Sequence, residues 1–212
     1  MYRFSAVVVL FVLFFASCGQ GNKKQEEEKK DSVAQVLPVT AEERNELSEV
    51  ITRFVRSYEN KDGDKVNKLI HPELGFTVIY RPGASDTFVK VDSIDFAKAI
   101  PEYYPYPSIK NEYALTFAKL PEFDCGTEKW TKHGFFCDTT SHPNQLSNIV
   151  AFEKEFDQRL FSENQLEELE KSEAESFRVI VTLDVPLVFH VQRYKGNWYV
   201  TVLDRAYAGC DA

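Results

Sequence analysis

Basic residues are scarce in this 212-residue chain, with 25 Lys and Arg against 33 Asp and Glu and a formal charge of −8. That deficit excludes a nucleic-acid role, because phosphate-backbone binding rests on clustered Lys and Arg, and no such patch occurs outside one mixed-charge tract near the start. It also argues against anionic headgroups as a docking surface. Long apolar runs are missing too. The stretch Ala6 to Phe15 falls far short of the roughly 20 apolar residues a membrane-spanning helix needs. The chain has no Gly-rich phosphate loop, no Gly-x-Ser-x-Gly elbow, no His-Glu-x-x-His and no internal repeat. The common signatures of nucleotide, serine-hydrolase and zinc-protease chemistry are therefore absent, and nothing implies a cofactor.

What stands at the start is an address. Arg3, the apolar run and then Ala16-Ser17-Cys18 describe a secretory signal peptide: a basic start, an apolar centre and small residues before a cut. The small-small-Cys ending resembles the lipobox of bacterial lipoproteins, although Phe15 stands where that pattern carries an aliphatic residue. The resemblance implies removal of residues 1 to 17 and lipidation of Cys18. Cleavage would also remove Arg3 and take the formal charge to −9. Residues 18 to 38 then read as a tether. Gly19 to Gln35 has almost no apolar content and blocks of both charges, so it cannot offset the entropy of ordering. As a coil, a tether of about 20 residues spans roughly 25 Å.

From Val39 to Ala212, 174 residues suffice for one domain with a substantial core. Thr40 with Glu43 reads as a capping box. Leu47, Val50, Ile51, Phe54, Val55 and Tyr58 then recur at three- and four-residue steps, predicting an amphipathic helix that stops at Asn60-Lys61-Asp62-Gly63. A short helix from Asp64 carries Val66, Leu69 and Ile70 to His71-Pro72. Strands are predicted at Phe76 to Tyr80 and Thr87 to Val91, a helix at Ser93 to Ile100, and a strand at Tyr113 to Leu120 within an otherwise irregular middle. Leu146, Ile149, Val150, Phe156 and Leu160 fit helical stretches, and Ser162 with Gln165 caps a further, acidic helix. The chain closes in strands Phe177 to Leu183, Leu187 to Tyr194 and Trp198 to Leu203, the last two joined by a three-residue turn Lys195-Gly196-Asn197.

The order of long helix, short helix ending in Lys68-Leu69-Ile70-His71-Pro72, strand, and final hairpin closing in Gly196-Asn197-Trp198-Tyr199 is similar to NTF2-like cone proteins. The resemblance implies an α+β fold in which a strongly bent antiparallel sheet wraps the N-terminal helices and leaves a pocket at the open end. Residues 39 to 212 would form that domain, with about 101 to 143 inserted. With the lipobox and tether, the whole looks like lipoproteins of the Bacteroidetes type, held by lipid in the cell envelope, the outer membrane being favoured, with the domain in the periplasm or on the surface.

Candidate site residues follow from these expectations. In an oxidising compartment two of Cys125, Cys137 and Cys210 should pair. Cys125 and Cys137 enclose eleven residues including Gly126 and Gly134, a flexible loop whose closure is worth roughly 3 kcal/mol, and pairing with Cys210 stays open. A metal site from Cys125, His133, Cys137 and His142 has poor spacing, and no metal is expected. Asp184, His190 and Asp204 interrupt apolar strand sequence, and His190 with either Asp is the candidate general base and its orienting partner. Tyr80 and Arg81 before Pro82-Gly83 form a candidate ligand pair. Tyr103, Tyr104 and Tyr106, held extended by interleaved prolines, suit glycan or peptide contact. The resulting expectation is a lipid-anchored, non-enzymatic domain binding a small molecule, glycan or envelope protein. The alternatives are a hydrolase, dehydratase or isomerase using the His/Asp pair, and a homodimeric assembly component joined through the outer sheet face.

Overall fold

The computed structural model describes residues 39–156, 161–208 and 210; the signal segment, Cys18, the tether and Leu160 lie outside them. The capping box forms as predicted. Thr40 accepts the Glu43 N–H and the Glu43 carboxylate accepts the Thr40 N–H, opening α1 (Ala41–Glu59). Its apolar stripe, Leu47, Ile51, Phe54, Val55 and Tyr58, is buried. The helix ends where Asn60 Nδ2 donates to the Arg56 carbonyl at 2.7 Å and Lys61 turns to φ 51°. Helix α2 (Gly63–Asn67) is capped by Asp62 rather than starting at Asp64.

Strands β1 (Phe76–Tyr80) and β2 (Thr87–Val91) match their predicted bounds. The helix expected at Ser93 to Ile100 is absent. Asn67 grips Ile94 through both its N–H and its carbonyl, and Asp95 accepts the Ala97 N–H, so local side-chain bonds replace the helical ladder. Ile100 also precedes Pro101, which disfavours helical backbone there. The middle is less irregular than expected. The Tyr113 to Leu120 strand shortens to β3 (Leu115–Phe117), and β4 (Phe123–Asp124), β5 (Lys129–Trp130) and β6 (Phe135–Cys137) follow. Next come α3 (Gln145–Glu155), α4 (Glu163–Ala174) with the Ser162–Gln165 capping box, then β7 (Ser176–Val181), β8 (Leu187–Tyr194) and β9 (Asn197–Asp204).

Seven strands form one sheet in the order β2-β1-β9-β8-β7-β6-β3, while β4 and β5 make a separate hairpin. The fold is α+β, but the sheet is mixed rather than antiparallel: β1 runs parallel to β9, and β3 parallel to β6. The last hairpin also differs from expectation. Tyr194 pairs with Asn197, leaving a two-residue turn in which Lys195 (φ 49°) and Gly196 (φ 84°) both take positive φ, the combination that follows the natural strand twist.

Both sheet faces are covered. On one, α1 and α2 pack over Phe76, Val78, Phe177, Val179, Phe189, Val191 and Trp198, with Phe54 and Phe189 rings 4.5 Å apart. On the other, Leu146, Ile149 and Val150 of α3 lie on Ile79 and Val202, and the β4–β5 hairpin sets Trp130 on Ile180 and Val188. This arrangement overturns the expected Cys125–Cys137 bond. Cys137 is fully buried on β6 among the residues facing α1, whereas Cys125 follows β4 on the opposite side of the sheet. Cys125 instead pairs with Cys210, their Cα atoms 5.6 Å apart.

Candidate functional site

The cross-strand register assembles a charged group on the α3 face. Arg178 of β7 lies opposite His190 of β8, and Val188, two residues back on the same face of β8, lies opposite Asp204 of β9. Arg178 Nη2 donates to Asp204 Oδ2 at 2.5 Å, and Asp204 Oδ1 accepts the Ala206 N–H at 3.0 Å. Asp204 is buried. Burial raises its carboxyl above the usual range, against the pull of Arg178 and the Ala206 N–H. A second ion pair sits where β1 ends. Arg81 Nε donates to Asp86 Oδ1 at 2.6 Å, and its Nη1 donates to the Cys210 carbonyl.

The two ion pairs line one cleft of about 370 Å³. Gln145, Asn148, Ile149 and Phe152 of α3 form one wall, Ala84 and Ser85 of the β1–β2 connection another, and Ala206 with Tyr207 a third. Tyr207 is held by aromatic contacts, stacked on Trp130 at 5.6 Å and edge-on to Phe123 at 5.9 Å. Because each guanidinium already faces a carboxylate, the cleft offers directed donors and acceptors without a large net charge. Such a site suits hydrogen bonding to a polar, uncharged ligand better than capture of an anion or cation.

The predicted residues separate. Arg81 and Asp204 meet in this cleft. His190 lies on the same sheet face but is buried, with no hydrogen-bond partner for Nε2. Burial, with Arg178 adding to it, drives its pKa well below the ordinary histidine value, so the ring is neutral. Asp184 is exposed in the β7–β8 connection and lines a different cleft with His133 and Tyr113. Among the described residues no hydrogen bond joins His190 to Asp184 or Asp204, and the carboxylate of Asp204 is engaged by Arg178. Tyr80 is half-buried at another cleft, beside Ile100 and Pro101. Of the tyrosine-proline segment, Tyr106 is core, Tyr104 is exposed and carries the Arg205 guanidinium 4.0 Å above its ring, and Tyr103 stands furthest out, 68% exposed. None of the three lines the Arg81–Asp204 cleft.

Sequence reasoning missed Arg178, Asp86, Asn148, Phe152 and Tyr207. Arg178 alone carried a signal: a charge between Phe177 and Val179 in a strand otherwise apolar calls for a partner across the sheet. The α1 face of the sheet is filled, with Phe54, Tyr58, Phe76 and Phe189 packed there. The cleft lies on the opposite face. On that face pack α3, α4 and the β4–β5 hairpin. No family model, no curated protein and no solved structure matches the chain.

Proposed function

We propose that this chain is a lipid-anchored envelope protein whose NTF2-like domain binds a small, uncharged, polar ligand of the glycan class, without catalysing its conversion. The single observation that carries the reading is the cleft in which Arg81–Asp86 and Arg178–Asp204 face Asn148 and Gln145 beside the rings of Phe152 and Tyr207. Sugars present hydroxyls that take bidentate bonds from carboxylates, amides and guanidinium groups, and an apolar ring face that packs on aromatic side chains. Phe152 is 41% exposed at the rim of this cleft, and so is available for that packing.

The cone reading draws support from two features of the sheet. The β1–β2 hairpin lies beside the last strand, and a register shift at His190 and Val191 marks a bulge, a device that bends a strand. Against catalysis stands the separation of the His and Asp candidates. A general base needs the proton it abstracts within hydrogen-bond reach, and His190 is buried, 1% exposed. The signal-like start and Cys18 support placement at a membrane through lipid, and the acidic balance leaves nucleic acid out.

The test is titration calorimetry of the full chain in mild detergent against a panel of neutral oligosaccharides. At least one should bind, and Asn148→Ala and Phe152→Ala should each weaken it tenfold or more, equivalent to about 1.4 kcal/mol, with an unchanged melting temperature. Binding indifferent to both substitutions places the site elsewhere, and turnover of any of these sugars refutes the non-enzymatic reading.

A further inference from the structure

The wall of the cleft formed by Ala206 and Tyr207 belongs to a C-terminal segment that leaves the sheet at Asp204 and is covalently tied, through Cys210, to Cys125. Cys125 follows β4 in a two-stranded hairpin that pairs with no strand of the main sheet. The disulfide therefore joins two peripheral pieces, and the sheet between α1 and α3 does not depend on it for its hydrogen bonds. Arg205 fixes the root of the segment, its N–H on the Ile79 carbonyl at 2.8 Å and its guanidinium on the Ile100 and Pro105 carbonyls. Beyond Arg205 the segment is held by the Ala206 N–H on Asp204, the Tyr207 ring on Trp130 and Phe123, and the Cys210 carbonyl on Arg81. Cys125 is exposed and Cys210 half-buried, so the bond lies within reach of a soluble thiol. Cys137 offers a contrast, fully buried with its thiol pKa pushed up by desolvation, and so unreactive in exchange.

We infer that the Cys125–Cys210 disulfide is a redox latch on the cleft, opened by a dithiol reductant. In the step, one thiolate of the dithiol attacks a sulfur of the bond, the S–S bond breaks, and a mixed disulfide forms. The second thiol then closes the reductant to a cyclic disulfide. The protein gains two electrons and two protons as two cysteine thiols, and the reductant is oxidised by the same amount. With the bond open, the segment beyond Arg205 depends on its non-covalent contacts alone, so the Tyr207 wall and the Cys210 carbonyl at Arg81 are held less firmly. The consequence for ligand rests on the cleft being the binding site; the opening of the wall does not.

Hydrogen-exchange mass spectrometry on the full chain in mild detergent, before and after dithiothreitol, separates the two. Peptides covering 121–131 and 206–210 should exchange at least tenfold faster after reduction, while peptides of β8 and β9 up to Val202 keep their protection. The Cys125→Ser/Cys210→Ser variant should show the same pattern without reductant. Unchanged exchange in both segments overturns the latch, because the wall then stands without the bond. Loss of protection throughout β8 and β9 overturns it as well, because the bond is then a staple of the whole fold. An oligosaccharide found by calorimetry should bind at least tenfold more weakly to the reduced chain. If no oligosaccharide binds the oxidised chain, the ligand reading fails, and the exchange result still decides the latch.

Discussion

His190 shows how a residue type that suggests chemistry becomes a structural element. Its ring lies between Arg178 and Val202 across two ladders, is 1% exposed, and stays neutral because burial opposes the charged form. The unfolded chain, by contrast, protonates a histidine near pH 6.5. The folded-state pKa is thus depressed, so its contribution to stability is fully present above about pH 6.5 and is lost as pH falls below it, because the unfolded state then binds the extra proton. The expected loss approaches about 1.4 kcal/mol per pH unit for one group. Urea unfolding at a series of pH values between 7 and 5 should show this slope, and His190→Gln should remove it. Asp204 and Glu173, whose carboxyls burial raises, titrate with the opposite sign, so the difference between the two proteins isolates the histidine. Of the residues named from sequence, Arg81 and Asp204 reached the cleft because Arg81 follows β1 and Asp204 ends β9, two parallel neighbours that finish at the same sheet end. Tyr106 did not, because an aromatic near a proline-rich turn is as good a core residue as a platform.

Among the elements, α3 carries the cleft wall yet lacks a side-chain cap of its own at Asn144. Glu173, near the end of α4, supplies one from another helix. Its carboxylate accepts the Leu146 N–H at 2.7 Å and the Ser147 N–H at 3.3 Å, and the residue is 5% exposed. An acidic group there also meets the positive end of the helix dipole. Glu173→Ala should therefore destabilise the protein by about 1–3 kcal/mol in urea unfolding, by leaving buried donors unpaired, and Glu173→Gln should cost less because its carbonyl still accepts. Helices α1 and α4 were legible because their capping boxes are local: four residues suffice to write them. Strands β1, β2 and β8 were legible for a similar reason, since their β-branched and aromatic runs are bounded by turns. The helix predicted at Ser93 to Ile100 failed because Asn67, far back in the chain, holds Ile94, and strands β4 to β6 were invisible because each is only two or three residues long.

For the molecule as a whole, the proposed anchor at Cys18 has its own test. A chain with Cys18→Ala should lose incorporation of labelled palmitate and move from the membrane pellet to the soluble fraction, while the far-ultraviolet spectrum of the purified domain stays the same. The charge class was determined by the sequence alone, because an acidic balance is a property of composition, and the expected address rests on the order of residues at the start. So were the two capped helices and the closing hairpin, whose causes lie within a few residues. Tertiary structure alone decided which face of the sheet is filled and which is cleft, since both faces of β8 mix apolar and polar residues and periodicity assigns neither. The cysteine pairing belongs with that decision. The loop between Cys125 and Cys137 is flexible enough to close, but the sheet stands between their sulfurs, and the chain end 85 residues away is the partner that packing brings to Cys125.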